Sequence, residues 1–211
     1  MKIIKKIIIL RQLGLNSYQP ILDAMRQFTK KRTINTLDEI WLVEHYPVFT
    51  QGQSGKKEHL LSIRNIPVIQ SDRGGQVTYH GPGQQIMYTL LDLRRNKISI
   101  KNLIIALENT VINTLYEFGI SSYSNRKFPG VYVKQEKICS LGLRIHKGCS
   151  FHGLALNINM NLMPFQDINP CGCVGIKMTQ LNNLVPDIDL KDTKSLLIKH
   201  FCNLLGFQLA E

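Results

Sequence analysis

Leu154, Leu156, Ile158, Met160 and Leu162 occupy alternate positions, with Ala155, Asn157, Asn159 and Asn161 between them. A period of two sets the apolar side chains on one face of a strand and leaves a polar second face. Residues 151–162 therefore read as a half-buried strand. A turn at Lys147 and Gly148 joins it to an apolar strand at 138–145. Residues 131–133 and the apolar runs at 3–10, 41–49, 67–70 and 84–93 also read as strands. Other segments carry helical spacing. Ile100, Leu103, Ile104, Leu107, Val111, Leu115 and Phe118 share one face of a helix over 100–118. Ser99 is its expected N-cap and Gly119 its stop. Ile21, Leu22, Met25 and Phe28 mark an earlier helix that ends on Lys30, Lys31 and Arg32, where cations suit the dipole. Leu196, Leu197, Phe201 and Leu204 mark a last helix over 192–205, stopped by Gly206. Strands outnumber helices and lie close enough to pair antiparallel. The predicted class is α/β (α+β): a mixed, largely antiparallel sheet flanked by helices.

No repeat, linker or low-complexity tract interrupts the 211 residues, so 1–211 reads as one domain. At 44% hydrophobic, without excess Gly or Pro, the composition excludes disordered and fibrous classes. The net charge of +11 calls for an acidic partner. Nucleic acid is not expected, because the basic residues are scattered and no nucleic-acid motif is present. The N-terminal apolar run at 7–10 is too short for a signal segment, and no stretch approaches the ~18 residues of a membrane span. The expectation is a cytoplasmic protein with no membrane partner. The 5 cysteines are an odd number and argue against a disulfide framework.

Four stretches carry residues suited to chemistry. In 73–84, RGGQVTYHGPGQ, glycines let backbone approach a ligand, Arg73 adds a fixed cation, and His80 a proton carrier or donor. In 168–175, INPCGCVG, Cys171 sits between Pro and Gly on a turn, where its sulfur is exposed. A free thiol is mostly protonated at neutral pH, and a neighbouring ammonium favours the nucleophilic thiolate. Lys137 opens 137–142, KICSLG, at the start of a strand. His152, in the stretch that opens FHGLA, reads as a ligand, a base or, by default, a satisfied strand histidine. Cys149-x-x-His152 and Cys171-x-Cys173 offer four zinc donors, but neither is the paired C-x-x-C of structural zinc sites, so no metal is expected. No G-x-x-x-x-G-K-[ST] phosphate loop is present.

Taken in order, these stretches resemble the lipoyl(octanoyl) transferases, also called lipoate-protein ligase B. The likeness spans RGGQVTYHGPGQ, KICSLG, FHGLALNINMNL at 151–162 and INPCGCVG, and weakly 21–28 and 41–61. It implies a fold like that of the biotin protein ligases and no cofactor. It implies octanoyl transfer from acyl carrier protein to one lysine of a lipoyl domain, in 2-oxoacid dehydrogenase E2 subunits and in the glycine-cleavage H protein. Position by position, Cys171 matches the acyl-thioester nucleophile and Lys137 the lysine that activates it. Arg73, Gly74, Gly75, Gln76, Val77, Thr78, Tyr79 and His80 match substrate-binding positions. So do Ser140, Leu141, Gly142, Gly153, Leu154 and Ala155. One position departs: an aromatic residue is expected where this chain has Cys173. Two rivals stay open. One is an ATP-dependent lipoate or biotin ligase on the same fold, which needs no thiol; the other is a basic nucleic-acid-binding module.

Overall fold

The computed structural model describes residues 6–62, 65–186, 188 and 190–210. In chain order its elements are β1 (Lys6–Asn16), α1 (Tyr18–Lys31), β2 (Asp38–His45), β3 (Val48–Gln51), β4 (Val68–Gln70), β5 (Val77–His80), β6 (Gln84–Leu90), α2 (Leu93–Asn96), α3 (Ile100–Glu117), β7 (Tyr123–Ser124), β8 (Gly130–Val133), β9 (Glu136–His146), β10 (Cys149–Asn157), α4 (Leu190–Leu205) and β11 (Phe207–Leu209). Positions 3–5 of the expected first strand lie outside the described residues.

The main sheet has eight strands in the order β11-β1-β2-β6-β10-β9-β8-β7. β1 runs parallel to β11 and β2, and the other pairs are antiparallel. A small sheet, β4-β3-β5, lies apart from it. The class is thus α/β with a mixed, mostly antiparallel sheet.

Helix packing follows the apolar spacing. Leu103, Leu107, Val111 and Leu115 of α3 are fully buried. Each contributes roughly 1.5–3 kcal/mol relative to exposure. They share a core with Leu197 and Phe201 of α4 and with Leu154 and Leu156 of β10. The Ser99 side chain accepts from the Asn102 amide at 3.1 Å, and Gly119 turns left-handed at φ +72° to end the helix. On the opposite face, Ile21, Leu22 and Met25 of α1 pack with Phe151 and Ala155. β10 is therefore buried on both faces, not on one.

Several expected strands have different limits, and the first runs on past Leu10 to Asn16. The run 41–49 is split, because Pro47 lacks an amide for the ladder and Tyr46 is exposed; β2 and β3 then enter different sheets. The run 84–93 leaves the sheet after Leu90, where the Asp92 side chain accepts from the Arg95 amide and starts α2. Alternation continues to Leu162, but pairing stops at Asn157. The Asn157 side chain accepts from Gln84 at 2.9 Å and donates to the Thr179 carbonyl at 2.9 Å. The amides of Ile158 and Asn159 then both turn to the Gly83 carbonyl. The signature stretch also contains a strand the reading missed: β5 is buried at every position and pairs with β3.

Candidate active site

Cys171 lies in a 3₁₀ turn, Pro170–Gly172, and is half-buried. Pro170 fixes the first φ of that turn. The amides of Gly172 and Cys173 donate to the carbonyls of Asn169 and Pro170. Cys171 itself holds φ 58°, ψ 17°. That left-handed conformation costs a residue with a Cβ about 1–3 kcal/mol and persists only where its surroundings impose it.

Lys137, on β9, is 0% exposed. Its Nζ donates to Cys171 Sγ at 3.1 Å and to the Pro129 carbonyl at 2.8 Å, and lies 5.5 Å from the centre of the Tyr132 ring. Burial works against the ammonium, but the Cys171 sulfur and Tyr132 outweigh it, and the lysine is held above its ordinary range. Gly130 makes room for this side chain. Its φ is +146°, and a Cβ there would sit 2.4 Å from Lys137 Cε and 2.5 Å from the Cys139 carbonyl. Gly130→Ala must therefore displace the lysine. We expect alkylation of Cys171 by iodoacetamide at pH 7 to slow by roughly 10- to 100-fold, since a shift of about 1 Å is worth that much. Alkylation at the unchanged rate would show that the lysine position is unimportant to the sulfur.

Cys171 lines a largely apolar cavity of about 390 Å³. That volume is in the range of small-ligand pockets. Arg73, Gly74, Gly75, Gln76, Val77, Thr78, His80, Ser140, Leu141, Gly142, Gly153, Leu154 and Ala155 line it as well. Gly153 is needed for close approach, because a Cβ there would lie 2.1 Å from the Met87 carbonyl. Tyr79 stands apart: its ring packs between Phe49 and Phe165 in the core of the small sheet. Lys137 is not part of the cavity lining; its Nζ reaches the lining through Cys171.

Arg73 is buried, and its guanidinium bonds to neutral oxygens: the Thr50 carbonyl at 2.6 Å, Thr50 Oγ1, and the Gly74 carbonyl at 3.0 Å. Burial lowers its pKa from the ordinary value. His80 is locked, with Nδ1 on Gln84 Oε1 at 2.7 Å and Nε2 on Thr50 Oγ1 at 3.2 Å. Burial holds it well below the usual imidazole range, and both ring nitrogens are engaged. Sequence reasoning missed the aliphatic wall: Ile86, Ile100, Ile104, Leu143 and Ile145. Ile100 and Ile104 sit on the apolar helix face, but they serve the cavity rather than the core. It also missed Asp72, whose Oδ1 lies 2.9 Å from His152 Nε2. Its position beside Arg73 was the available signal. Among the described residues, no cluster of three metal-ligating side chains occurs, and no helix is long and apolar enough to cross a membrane.

The family model for the lipoyl protein ligase A/B catalytic domain matches residues 17–202. An octanoyltransferase of Photorhabdus laumondii subsp. laumondii is 62% identical over 204 residues, covering 97% of this chain and 96% of the relative. A bi-partite lipoate protein ligase from Thermoplasma acidophilum shares the fold with a TM-score of 0.78 at 14% identity, over 98% of this chain and 86% of that one. A biotin protein ligase from Aquifex aeolicus is more distant, with a TM-score of 0.56 at 14% identity over 95% and 69%. The chain belongs to the lipoyl protein ligase A/B catalytic family, and within it to the octanoyltransferases.

Proposed function

We propose that the octanoyl group arrives on acyl carrier protein, passes to Cys171 as a thioester, and leaves on a lysine of a lipoyl domain. The observation that carries this reading is the 3.1 Å approach of Lys137 Nζ to Cys171 Sγ at the wall of an apolar cavity. A buried ammonium favours the anionic form of a sulfur it touches. The thiolate attacks the carbonyl carbon of the incoming thioester. A C–S bond forms, the C–S bond to the donor breaks, and the carrier sulfur leaves as a thiol with the proton that Lys137 gives up. One thioester replaces another, so no ATP is consumed.

The oxyanion formed in between needs fixed donors. The Gly172 and Cys173 amides already serve the turn, and the Arg73 guanidinium is held on Thr50 and Gly74, so we assign that role to the backbone around Gly75, with Arg73 as a fixed positive charge behind it. The octanoyl chain lies along Ile86, Ile100, Ile104 and Leu143. Burying it is worth up to ~0.8 kcal/mol per CH₂. Acylation removes the charge that raised Lys137. Burial then favours the neutral amine, which can take a proton from the attacking lysine. The +11 charge suits acidic carrier and acceptor proteins in the cytoplasm, namely acyl carrier protein, lipoyl domains of E2 subunits and the glycine-cleavage H protein. The catalytic domain is the whole of 1–211.

The test is intact-mass spectrometry of the chain mixed with octanoyl carrier protein. One octanoyl adduct should form without ATP, map to Cys171 and be released by hydroxylamine. Transfer that requires ATP and free octanoate, with no adduct, would instead select an adenylate-forming ligase.

A further inference from the structure

His152 is a titratable group of the cavity wall that the scheme above leaves unused. It is 1% exposed, and its Nε2 lies 2.9 Å from Asp72 Oδ1. The other Asp72 oxygen accepts from Arg26 Nε at 2.9 Å. Burial works against the Asp72 charge, but His152 and Arg26 outweigh it and bring the carboxyl down to about 2. A carboxylate only accepts, so Nε2 carries the hydrogen. Burial also holds His152 below the usual imidazole range, against the pull of Asp72, with Arg73 and Arg26 adding to the lowering. The other groups that face it are the rings of Tyr88 and Phe151, with His45 and His80 behind. The ring is therefore neutral near pH 7, and Nδ1 is a bare lone pair.

That Nδ1 is buried with no hydrogen-bond partner among the described residues. An acceptor left unpaired in the interior keeps the full penalty of its desolvation. The residue also holds φ +62° within β10, a second strain localised at the same wall. The octanoyl chain has no N–H to offer this nitrogen. The attacking lysine has.

Proton accounting points the same way. A lysine side chain arrives as an ammonium at neutral pH. It must lose two protons to become an amide, and Lys137 can take one. Resting on the acyl-transfer reading above, we propose that His152, oriented by Asp72, accepts the other at Nδ1 and is the general base of the second half-reaction. The ammonium gives a proton to Nδ1. The freed amine forms a C–N bond to the thioester carbonyl carbon. The C–S bond breaks and Cys171 leaves as thiolate. The remaining proton passes to Lys137, which regains its ammonium beside the thiolate, and His152 returns its proton to solvent.

The two half-reactions separate this role from the rest. Acylation is followed by mass after adding an octanoyl thioester donor; transfer is followed in a single turnover from isolated acyl-enzyme to a lipoyl domain. His152→Asn suits the left-handed backbone, which Asn tolerates. It should acylate within about threefold of wild type and transfer about 100-fold more slowly, as expected for loss of a general base. Wild-type transfer should rise with pH through the acid range and level off, and the variant should lack that limb. Asp72→Asn should show a smaller loss confined to transfer, and decides the matter if His152→Asn does not fold. Equal slowing of both steps, an unchanged transfer rate or an unchanged pH limb would overturn the proposal. Absence of any wild-type adduct would sink the acyl-transfer reading instead.

Discussion

If the acyl group travels on Cys171 as proposed, Cys171→Ala should form no octanoyl adduct and its turnover should fall by at least about 10³-fold, because the covalent route is closed. The result is informative because four other thiols remain. Cys173 is two residues away and half-buried. Burial pushes its thiol up and the Cys171 charge pushes it further, against Lys137 and Lys127. Cys139 is fully buried and pushed up to about 12, again by burial first. Burial raises Cys149 and Cys202 as well. None of these is ready to replace the missing sulfur. Intact mass and steady-state transfer to a lipoyl domain check both parts. An adduct that forms on the variant at the wild-type rate would refute the assignment of Cys171.

If the Lys137 ammonium holds the Cys171 anion as proposed, Lys137→Met should acylate about 100-fold more slowly near pH 7, with a smaller deficit at high pH. Methionine fills the buried space but offers no charge. At neutral pH the sulfur then lacks the cation that stabilises its anion. At high pH a thiol ionises without help, so the deficit closes. Rates of adduct formation across that range are the measurement, and a deficit that is constant with pH would mean that Lys137 does not act through thiol ionisation. Stability carries a related sign. The folded lysine is held above its ordinary range, so the stabilisation from the pair is fully present below ~10.4 and is lost as pH rises through the raised value.

The three long helices were legible because their apolar spacing, Ser99 cap and Gly119 and Gly206 stops are local signals; the short α2 was not. Strand ends were not. Asn157 closes β10 through Gln84 and Thr179, partners that adjacent positions cannot reveal. The second sheet was hidden because β5 lies inside a glycine-rich stretch that reads as loop. Cys171 and Lys137 were singled out by residue type and by resemblance, but their contact depends on the path of the chain between them. Asp72 carried only its place beside Arg73. Its pairing with His152 spans 80 positions, and the unsatisfied ring nitrogen exists only in three dimensions. Tyr79, inside the signature, is a reminder that a motif mixes ligand wall with scaffold: its ring serves Phe49 and Phe165.

The main chain of Lys137 is itself stitched to the segment that follows the cysteine. Its amide donates to the Lys177 carbonyl at 2.8 Å, and its carbonyl accepts from the Thr179 amide at 2.9 Å. Residues 172–177 thus form a short leash between sulfur and ammonium. If that clasp opens, both partners are released in one event. Amide exchange at Lys137 and Thr179 should share one opening rate, and thiol reactivity should track it. Lengthening the leash by a few residues leaves both sheets intact on paper, yet loosens the encounter on which the sulfur depends.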